Sequence, residues 1–317
     1  MFTRKYILFS SMLVAISTHA AETSNSSMLY EGVQIAASDN ALGILKDKAI
    51  GKAENFIESE SKSFISPYLN YAEIAVNVGS GSSESTFEII GLKAYDNNGL
   101  KNGFLFNQFG LNYFDERTTV NLGLGYRYLT EDKNWLLGGN VFYDYEVEDQ
   151  HQRSGAGLEI KSSILKVTYN LYNGISDYKK DRSGTDSKAL DGSDLKFDLT
   201  MPYLPGLAMS YTKFKWDGDA GADDLKGKDI SLKGKLSNSF YIDAGRTFYD
   251  DTGNKDYNWI KLTYQVNIGK SKNEASIFDL SKHAYQLSSI EHEKYKPVQR
   301  VNRIIKQKQF ATTVSGN

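Results

Sequence analysis

Apolar and polar residues alternate with a period of two through most of the chain between residues 71 and 269. The pattern is most regular in residues 117–129. The apolar positions of that stretch are Val120, Leu122, Leu124, Tyr126 and Tyr128. Successive side chains of a β-strand point to opposite faces, so the alternation predicts a strand with one apolar and one polar face. The polar residues 130–134 predict a turn that joins this strand to the next one in a hairpin.

Twelve stretches of this kind predict twelve antiparallel strands. They lie near 71–79, 85–94, 103–113, 117–129, 134–145, 152–161, 164–173, 194–201, 207–216, 228–236, 239–249 and 257–269. The connections alternate between long ones, such as 174–193 and 217–227, and short ones, such as 162–163, 202–206 and 237–238. An even strand number, short periplasmic turns and longer outer loops are typical of bacterial outer-membrane barrels. The sequence therefore predicts an all-β, twelve-stranded antiparallel barrel in the bacterial outer membrane, surrounded by outer-membrane lipid.

A soluble β-sandwich would show the same local alternation. The N-terminus favours the membrane barrel, because residues 1–20 read as a signal peptide. Arg4 and Lys5 precede a short apolar stretch, and small residues then predict cleavage between Ala20 and Ala21. A chain exported in this way would depend on periplasmic chaperones and the barrel-assembly machinery. It contains no cysteine. Its mean hydropathy of −0.46 is compatible with a membrane β-barrel, because half of the residues in each strand of such a barrel are polar.

Residues 21–70 predict a periplasmic segment with a short helix. Apolar residues recur there every three to four positions between Asp39 and Ser63, with lysines and a glutamate among them. We expect this helix to pack near the mouth of the barrel.

The polar faces of the predicted strands carry charges that would face the barrel lumen. The lumen-facing residues predicted in this way are Arg127, Asp144, Glu159, Lys161, Lys196, Asp198, Lys233, Lys235 and Asp243. Such charges are compatible with a lumen that holds water or a plug. We expect most of them to form structural ion pairs.

Residues 270–317 continue beyond the last predicted strand. Apolar residues at helical spacing predict a helix over 274–291, and a basic stretch follows over 294–308. This tail has nine Lys and Arg against four Asp and Glu, whereas residues 21–269 have 26 against 35. The charge difference favours a tail that plugs an acidic lumen, with a solvated basic tail as the alternative.

Catalytic chemistry has little support in the sequence. His151 is the only histidine on the predicted barrel, and a serine hydrolase would need it beside an orienting acid. The acidic loop 217–224 lacks the spacing of an EF-hand calcium site and predicts a solvated loop. We expect no enzymatic activity, no cofactor, no metal and no nucleic-acid partner.

Several segments together resemble a known family. They are DERTTVNLGLGYR at 115–127, NVFYDY at 140–145, LKVTYNLY at 165–172, DLTMPYLPGL at 198–207 and KPVQRVNRI at 296–304. With them, the chain resembles the β-domain of inverse autotransporters, the intimin/invasin group, over about residues 40–310. The resemblance implies a twelve-stranded barrel whose following linker crosses the pore and carries a passenger to the cell surface.

On the family's pattern, six residues would form the pore linker. They are Pro297, Val298, Arg300, Asn302, Arg303 and Ile304. Val301 stands where the family usually has an asparagine. Passengers of the family bind host-cell receptors or other bacterial cells.

Because the sequence ends at Asn317, we expect a membrane anchor or translocator linked to cell adhesion but without a folded passenger. The alternative is a porin-like or structural barrel whose tail stays in the periplasm.

Overall fold

The structure is a computed structural model, and it describes residues 68–79, 86–95, 101–250, 253–266, 268 and 274–308. The predicted signal peptide with its Ala20–Ala21 cleavage site and the predicted helix between Asp39 and Ser63 lie outside the described residues. So do most of segment 21–70 and the end of the tail.

Within the described ranges, twelve antiparallel strands close into a barrel. The strands of the chain are β1 Tyr71–Gly79, β2 Thr86–Tyr95, β3 Gly103–Phe114, β4 Arg117–Leu129, β5 Leu136–Glu146, β6 Gln152–Lys161, β7 Leu165–Gly174, β8 Lys179–Lys180, β9 Asp186–Ala189, β10 Gly192–Met201, β11 Leu204–Trp216, β12 Leu225–Lys235, β13 Phe240–Tyr249, β14 Tyr257–Val266 and β15 Lys306–Lys308. Neighbours in the chain pair throughout the barrel, except that β7 pairs with β10. The barrel closes where β1 pairs with β14, from Ala72 opposite Val266 to Gly79 opposite Trp259.

Burial in the barrel is the inverse of that in a soluble protein. Leu124 and Leu158 on the outer face are 58% and 65% exposed, whereas Arg127 and Asp144 on the inner face are fully buried. A continuous band of exposed apolar residues is stable only against lipid. The twelve-stranded antiparallel barrel predicted from the alternation is therefore confirmed, and its outer face is the surface of a membrane protein.

The two ends of the barrel differ. We call the end where β1 begins and β14 ends the proximal end, and the opposite end the distal end. Three proximal connections are short, and the one between β10 and β11 consists of Pro202 and Tyr203, whereas 96–102 and 130–135 are longer. The predicted turn 202–206 was too long, because Tyr203 adopts a left-handed φ of 63° and lets the chain reverse within two residues.

The distal connection between β7 and β10 was predicted as a long loop, and it contains further structure. There β8 and β9 form a hairpin, and β15 from the tail joins it as a third strand. The backbone groups of this loop are thus paired with the tail.

The helix predicted over 274–291 is wrong. Residues 274–290 form turns and extended chain, and within the described residues the helix of this region is a single 3-10 turn at Glu291–Tyr295. The amide groups of Ile277, Ser281 and Ile290 donate to backbone carbonyls of the proximal turns rather than to their own segment. Tertiary hydrogen bonds thus replace those of a helix. No described helix has the length and apolarity needed to cross a membrane.

Candidate functional site in the barrel lumen

The tail first follows the proximal rim of the barrel. It bonds in turn to four successive proximal connections. These contacts are Ile277 N to Lys235 O at 2.9 Å, Ser281 N to Tyr203 O at 2.9 Å, Ser288 N to Ser163 Oγ at 3.0 Å, and Ile290 N to Lys133 O at 2.8 Å. The rim thus guides the chain across half of the barrel mouth before it enters the lumen.

The chain turns into the lumen at the 3-10 helix. Ile290 is fully buried against Leu129 and Leu136 at the ends of β4 and β5. Just beyond it, the carboxylate of Glu293 accepts a bond from Lys166 Nζ at 2.8 Å. An apolar anchor and a partly buried ion pair therefore fix the entry point.

Arg127 holds the first part of the lumenal segment. Its Nη1 donates to the backbone carbonyls of Lys294 and Lys296, both at 2.7 Å. Its other nitrogens pair with the buried carboxylate of Glu159, which also pairs with Lys161 Nζ at 2.9 Å. The planar, forked guanidinium suits this double task, which a lysine ammonium could not perform in the same geometry.

Asp144 is the hub of the middle of the lumen. Its two carboxylate oxygens accept a bidentate pair from Arg300, at 2.8 and 2.7 Å. They also accept bonds from Arg153 Nε at 2.9 Å and Asn121 Nδ2 at 2.7 Å. A buried carboxylate bound by two guanidinium groups and an amide is one of the stronger polar arrangements a protein can build.

Neutral side chains of the same wall, together with Arg153, bind the tail through its backbone. Gln108 Oε1 accepts from Val298 N at 2.8 Å, and Asn170 Nδ2 donates to Gln299 O at 2.9 Å. The remaining contacts of this kind are Val301 N to Tyr172 OH at 2.8 Å, Arg153 Nη2 to Val301 O at 2.7 Å, and Asn121 Nδ2 to Asn302 O at 2.8 Å. We call strands β3–β7, which supply all these side chains, the gripping wall. Backbone groups are common to every sequence, so this wall recognises an extended chain more than its particular side chains.

Apolar and aromatic contacts complete the fit. Val298 is buried in a cluster with Tyr71, Leu92, Ala94, Phe104, Phe106 and Phe142. The guanidinium of Arg300 lies 4.2 Å from the ring centre of Phe142, and that of Arg303 lies 4.1 Å from that of Phe114. Cation–π contacts of this kind gain strength in a desolvated site.

At the distal end the tail leaves the lumen through a set of charge pairs and a sheet. Lys306 Nζ lies 2.6 Å from Glu146 Oε1 and 2.5 Å from Asp149 Oδ2. Residues Lys306–Lys308 then pair with β9, and the side-chain amide of Gln307 bonds to both backbone groups of Asp219. The tail therefore crosses the whole barrel, from the proximal rim to the distal loops.

The opposite side of the lumen is open. A cavity of ≈ 720 Å³ lies between the tail and strands β10–β14, which we call the open wall. Its charged lining residues include Lys196, Asp198, Lys233, Asp243 and Lys261. Asp198 lies 3.8 Å from Lys196 and 4.0 Å from Lys233, so these charges pair mainly within the wall.

His151 lies at the distal end and is fully buried. Its Nδ1 lies 3.0 Å from Ser176 Oγ and its Nε2 lies 2.9 Å from Ser187 Oγ, so it bridges the β7–β10 connection on both sides. Burial, with the nearby charge of Lys306, lowers the pKa of His151 to about 4. The Nδ1 partner is a hydroxyl where a catalytic triad would have an orienting acid.

The residues predicted from the sequence thus lie in two groups. Arg127, Asp144, Glu159 and Lys161 are buried in the gripping wall, where Lys161 also borders the cavity. Lys196, Asp198, Lys233, Lys235 and Asp243 line the cavity from the open wall, and Lys235 contacts Glu274 O at 3.0 Å. Of the six linker residues, Val298 and Ile304 are buried, Pro297 borders the cavity, and Arg300, Asn302 and Arg303 contact the barrel.

Sequence reasoning missed several side chains that hold the tail, and four of them bind its backbone within the lumen. These are Gln108, Arg153, Asn170 and Tyr172. Three are uncharged and escaped a search for charges, although the period-two alternation already places Asn170 and Tyr172 opposite the apolar face of β7. Arg153 lies at the start of a strand, where the alternation gives little information about direction.

Comparison with known proteins identifies the family. Residues 19–302 match the family model described as "Inverse autotransporter, beta-domain". Intimin of Citrobacter freundii is 25% identical over 82% of this chain, invasin of Yersinia enterocolitica is 26% identical over 53%, and the inverse autotransporter adhesin YeeJ of Escherichia coli K12 is 30% identical over 45%. The matched region covers 28%, 19% and 6% of these relatives, so the chain spans only a part of their length.

A solved structure from work on the in-meso crystallization of membrane proteins shares the fold. It has a TM-score of 0.64 and 22% sequence identity, and the alignment covers 76% of this chain and 100% of that chain. The barrel, its apolar outer face and the family match agree on a bacterial outer-membrane location. The chain belongs to the inverse autotransporter β-domain family.

Proposed function

We propose that this barrel is an outer-membrane anchor and translocator that holds an extended segment of its own chain across the membrane. The observation that carries the proposal is the set of bonds from the gripping wall to tail backbone atoms. These atoms are the carbonyls of Lys294, Lys296, Gln299, Val301 and Asn302 and the amides of Val298 and Val301. A surface that binds backbone groups can hold segments of different sequence. It therefore suits a pore through which an exported chain slides until its last lumenal segment remains bound.

The length of the tail suits this function. An extended chain rises about 3.3 Å per residue, and the hydrocarbon core of a bilayer is about 30 Å thick. Residues 296–308 therefore suffice to cross it in extended form. On this proposal the proximal end faces the periplasm, the distal loops face outward, and residues after Lys308 continue outside the cell.

Adhesion is the role that the relatives suggest for the exported part. One relative is named an adhesin and another an invasin. We propose that this chain contributes the membrane part of such a system, whose surface part would meet a receptor on a host cell or another bacterium. Periplasmic chaperones and the barrel-assembly machinery would insert the barrel. A catalytic role is not part of the proposal.

The first test is the side of the membrane on which the tail ends. An epitope tag after Asn317 is expressed in whole cells, which are then treated with an external protease. We expect the tag to be cleaved while a periplasmic marker protein stays intact. A tag that is protected until the outer membrane is opened would contradict the proposal, because the tail would then end in the periplasm.

The cavity of ≈ 720 Å³ beside the tail favours a second candidate, a small-solute pore. Conductance in planar bilayers separates the two. For a translocator closed by its own tail, we expect low conductance from the whole chain and a severalfold increase after deletion of residues 294–317. For a pore, the whole chain would already conduct at the level of the deletion variant.

A further inference from the structure

Before the tail enters the lumen, it makes a short excursion that its function as a linker does not require. We call residues 275–284 the strap. The residue before it, Glu274, lies inside the barrel mouth, where its carboxylate accepts bonds from Tyr241 OH at 2.9 Å and Lys296 Nζ at 3.0 Å. The strap therefore starts on the lumenal side of the rim.

The strap then passes between the proximal ends of β11 and β12, beyond their last paired residues, Leu207 and Gly234. Ile277 N donates to Lys235 O at the end of β12, and the backbone of Ser276 lies directly against Gly206 near the start of β11. A Cβ atom at Gly206 would collide with the carbonyl carbon and oxygen of Ser276. The absence of a side chain at Gly206 thus makes the passage possible.

Ile277 lies on the outer face of the barrel. Its Cγ2 occupies the space next to Gly234, where a Cβ atom would also lie 3.4 Å from Leu207 Cδ1. Gly234 is directly opposite Leu207 in the sheet, and it shares its face with Leu232, two residues away, which is 49% exposed toward lipid. Because side chains alternate across a strand, the contact to Ile277 is on the lipid side.

A tight turn fixes the outer part of the strap. Asp279 N donates to Ser276 O at 3.0 Å, and Ser276 N donates back to Asp279 Oδ2 at 2.7 Å. Phe278 and Leu280 are 77% and 79% exposed, more than Leu158 on the lipid-facing surface of the barrel. The chain then returns, because Tyr203 bonds through its backbone to both Ser281 and Ala284, at 2.9 and 3.2 Å.

We propose that the strap is a lipid anchor and that Phe278 and Leu280 insert into the proximal leaflet of the membrane beside β11 and β12. Ile277, Leu207 and Leu232 connect the strap to the lipid-facing surface of the barrel. This continuity indicates that lipid covers the apolar side chains of the strap. Hydrogen bonds between Ser276 and Asp279 fix a turn that presents two apolar side chains, as an interfacial membrane anchor does. The polar residues Asp279 and Lys282 lie beside them, where headgroups and water are within reach.

This anchor would give the tail a fixed point outside the lumen. The lumenal segment is then held at both ends, by the strap at the proximal rim and by β15 at the distal loops. The inference does not depend on where the tail ends, so it can hold or fail separately from the translocator proposal.

The absence of cysteine from the chain allows a direct test. Phe278→Cys and Leu280→Cys are each labelled with an environment-sensitive fluorophore, and the protein is reconstituted in phosphatidylethanolamine/phosphatidylglycerol vesicles. Nitroxide groups on the lipid acyl chains quench from the membrane, and iodide quenches from water. Leu158→Cys is the matched lipid-facing control, and Gln286→Cys, beside the cavity, is the matched water-facing control.

We expect labels at positions 278 and 280 to follow the control at 158, with severalfold more nitroxide quenching than at 286 and little iodide quenching. Labels that follow the control at 286 would overturn the proposal and make the strap a periplasmic surface. Photoactivatable acyl chains supply a second measurement on the unaltered protein. They should cross-link to the peptide 275–284, and cross-links confined to the strands would overturn the proposal as well.

Discussion

The two walls of the lumen carry similar numbers of charges but treat the tail differently. On the gripping wall, Arg127, Asp144 and Arg153 are fully buried, and each bonds to the tail. On the open wall, Lys196 and Lys233 both pair with Asp198 and face the cavity. Charge alone therefore does not determine where a chain is held.

The difference lies in the type of polar group. The gripping wall presents guanidinium and amide groups, whose several fixed N–H donors reach backbone carbonyls. On the open wall, the ammonium groups of Lys196 and Lys233 pair with a neighbouring carboxylate, and Lys235 reaches the tail only at the barrel mouth, at Glu274 O. A wall of the second type leaves room for water or for a second chain beside the tail. Three predictions test this contrast: the first between the two walls, the second between backbone and side-chain contacts of the tail, and the third between the distal end and the interior of the barrel.

The largest effect is expected from Asp144→Asn compared with Asp243→Asn. Loss of the Asp144 charge leaves Arg153 and Arg300 buried without their common partner, and breaking such a buried pair costs about 3–5 kcal/mol. Asp243 lines the cavity, and no described hydrogen bond joins it to the tail or to a buried guanidinium, so we expect a clearly smaller loss. Urea unfolding in lipid vesicles, followed by tryptophan fluorescence, measures both. Equal losses in the two variants would mean that the walls do not differ.

A smaller effect separates recognition of the backbone from recognition of side chains. Asn170 donates to the carbonyl of Gln299 and to Asp194 Oδ1. Asn170→Ala therefore leaves both oxygens without this donor, while Tyr172 still donates to Asp194 Oδ2, and we expect a cost of about 1–3 kcal/mol. Gln299→Ala removes the side chain but keeps this bond, and no described hydrogen bond or ion pair uses that side chain, so we expect the smaller loss. Trypsin cleavage of the tail at Arg300 and Arg303 in the folded barrel is the measurement. We expect Asn170→Ala to accelerate it several times more than Gln299→Ala, and the reverse order would refute backbone recognition.

The sequence predicted the barrel strands well, but it did not predict the conformation of the tail. The bounds of β4 were predicted without error because Val120 to Tyr128 alternate with polar residues and glycine throughout, and the pattern depends only on the two faces of the wall. The helix over 274–291 was wrongly predicted because Ile277, Leu280 and Leu287 recur at helical spacing for separate reasons. Ile277 packs against Gly234, while Leu280 and Leu287 are exposed. Spacing cannot reveal such tertiary contacts.

The residues that hold the tail were hard to predict for the same reason, because they depend on tertiary contacts. Lumen-facing charges follow from the alternation, since parity in a strand determines the face. Which of them hold the tail depends on the path of residues 291–308 across the barrel, and that path results from hydrogen bonds between positions more than a hundred residues apart, such as Asn121 and Asn302. Gln108 and Tyr172 became recognisable as contacts only when that path was known.

The smallest effect concerns the distal end, where the tail pairs with β9. The pKa of His151 is about 4, below its unfolded value of about 6.5, so the neutral form stabilises the folded loop. This stabilisation is complete above pH 6.5 and is lost as the pH falls toward 4, because the unfolded loop takes up the proton first. Protonation also places a second positive charge near Lys306 and removes the acceptor that one serine hydroxyl needs.

We therefore expect the amides of β9 and β15 to lose protection from hydrogen exchange, corrected for intrinsic rates, between pH 6.5 and 4.5, whereas the amides of β4 keep theirs. His151→Gln, which retains hydrogen-bonding groups but does not titrate, is the control and should remove this pH dependence. A pH dependence that persists in the variant would assign the effect to Asp149 and Glu146 around Lys306. The distal attachment would then depend on the same kind of charge pairs as the open wall, and the contrast between the walls would be limited to the interior of the barrel.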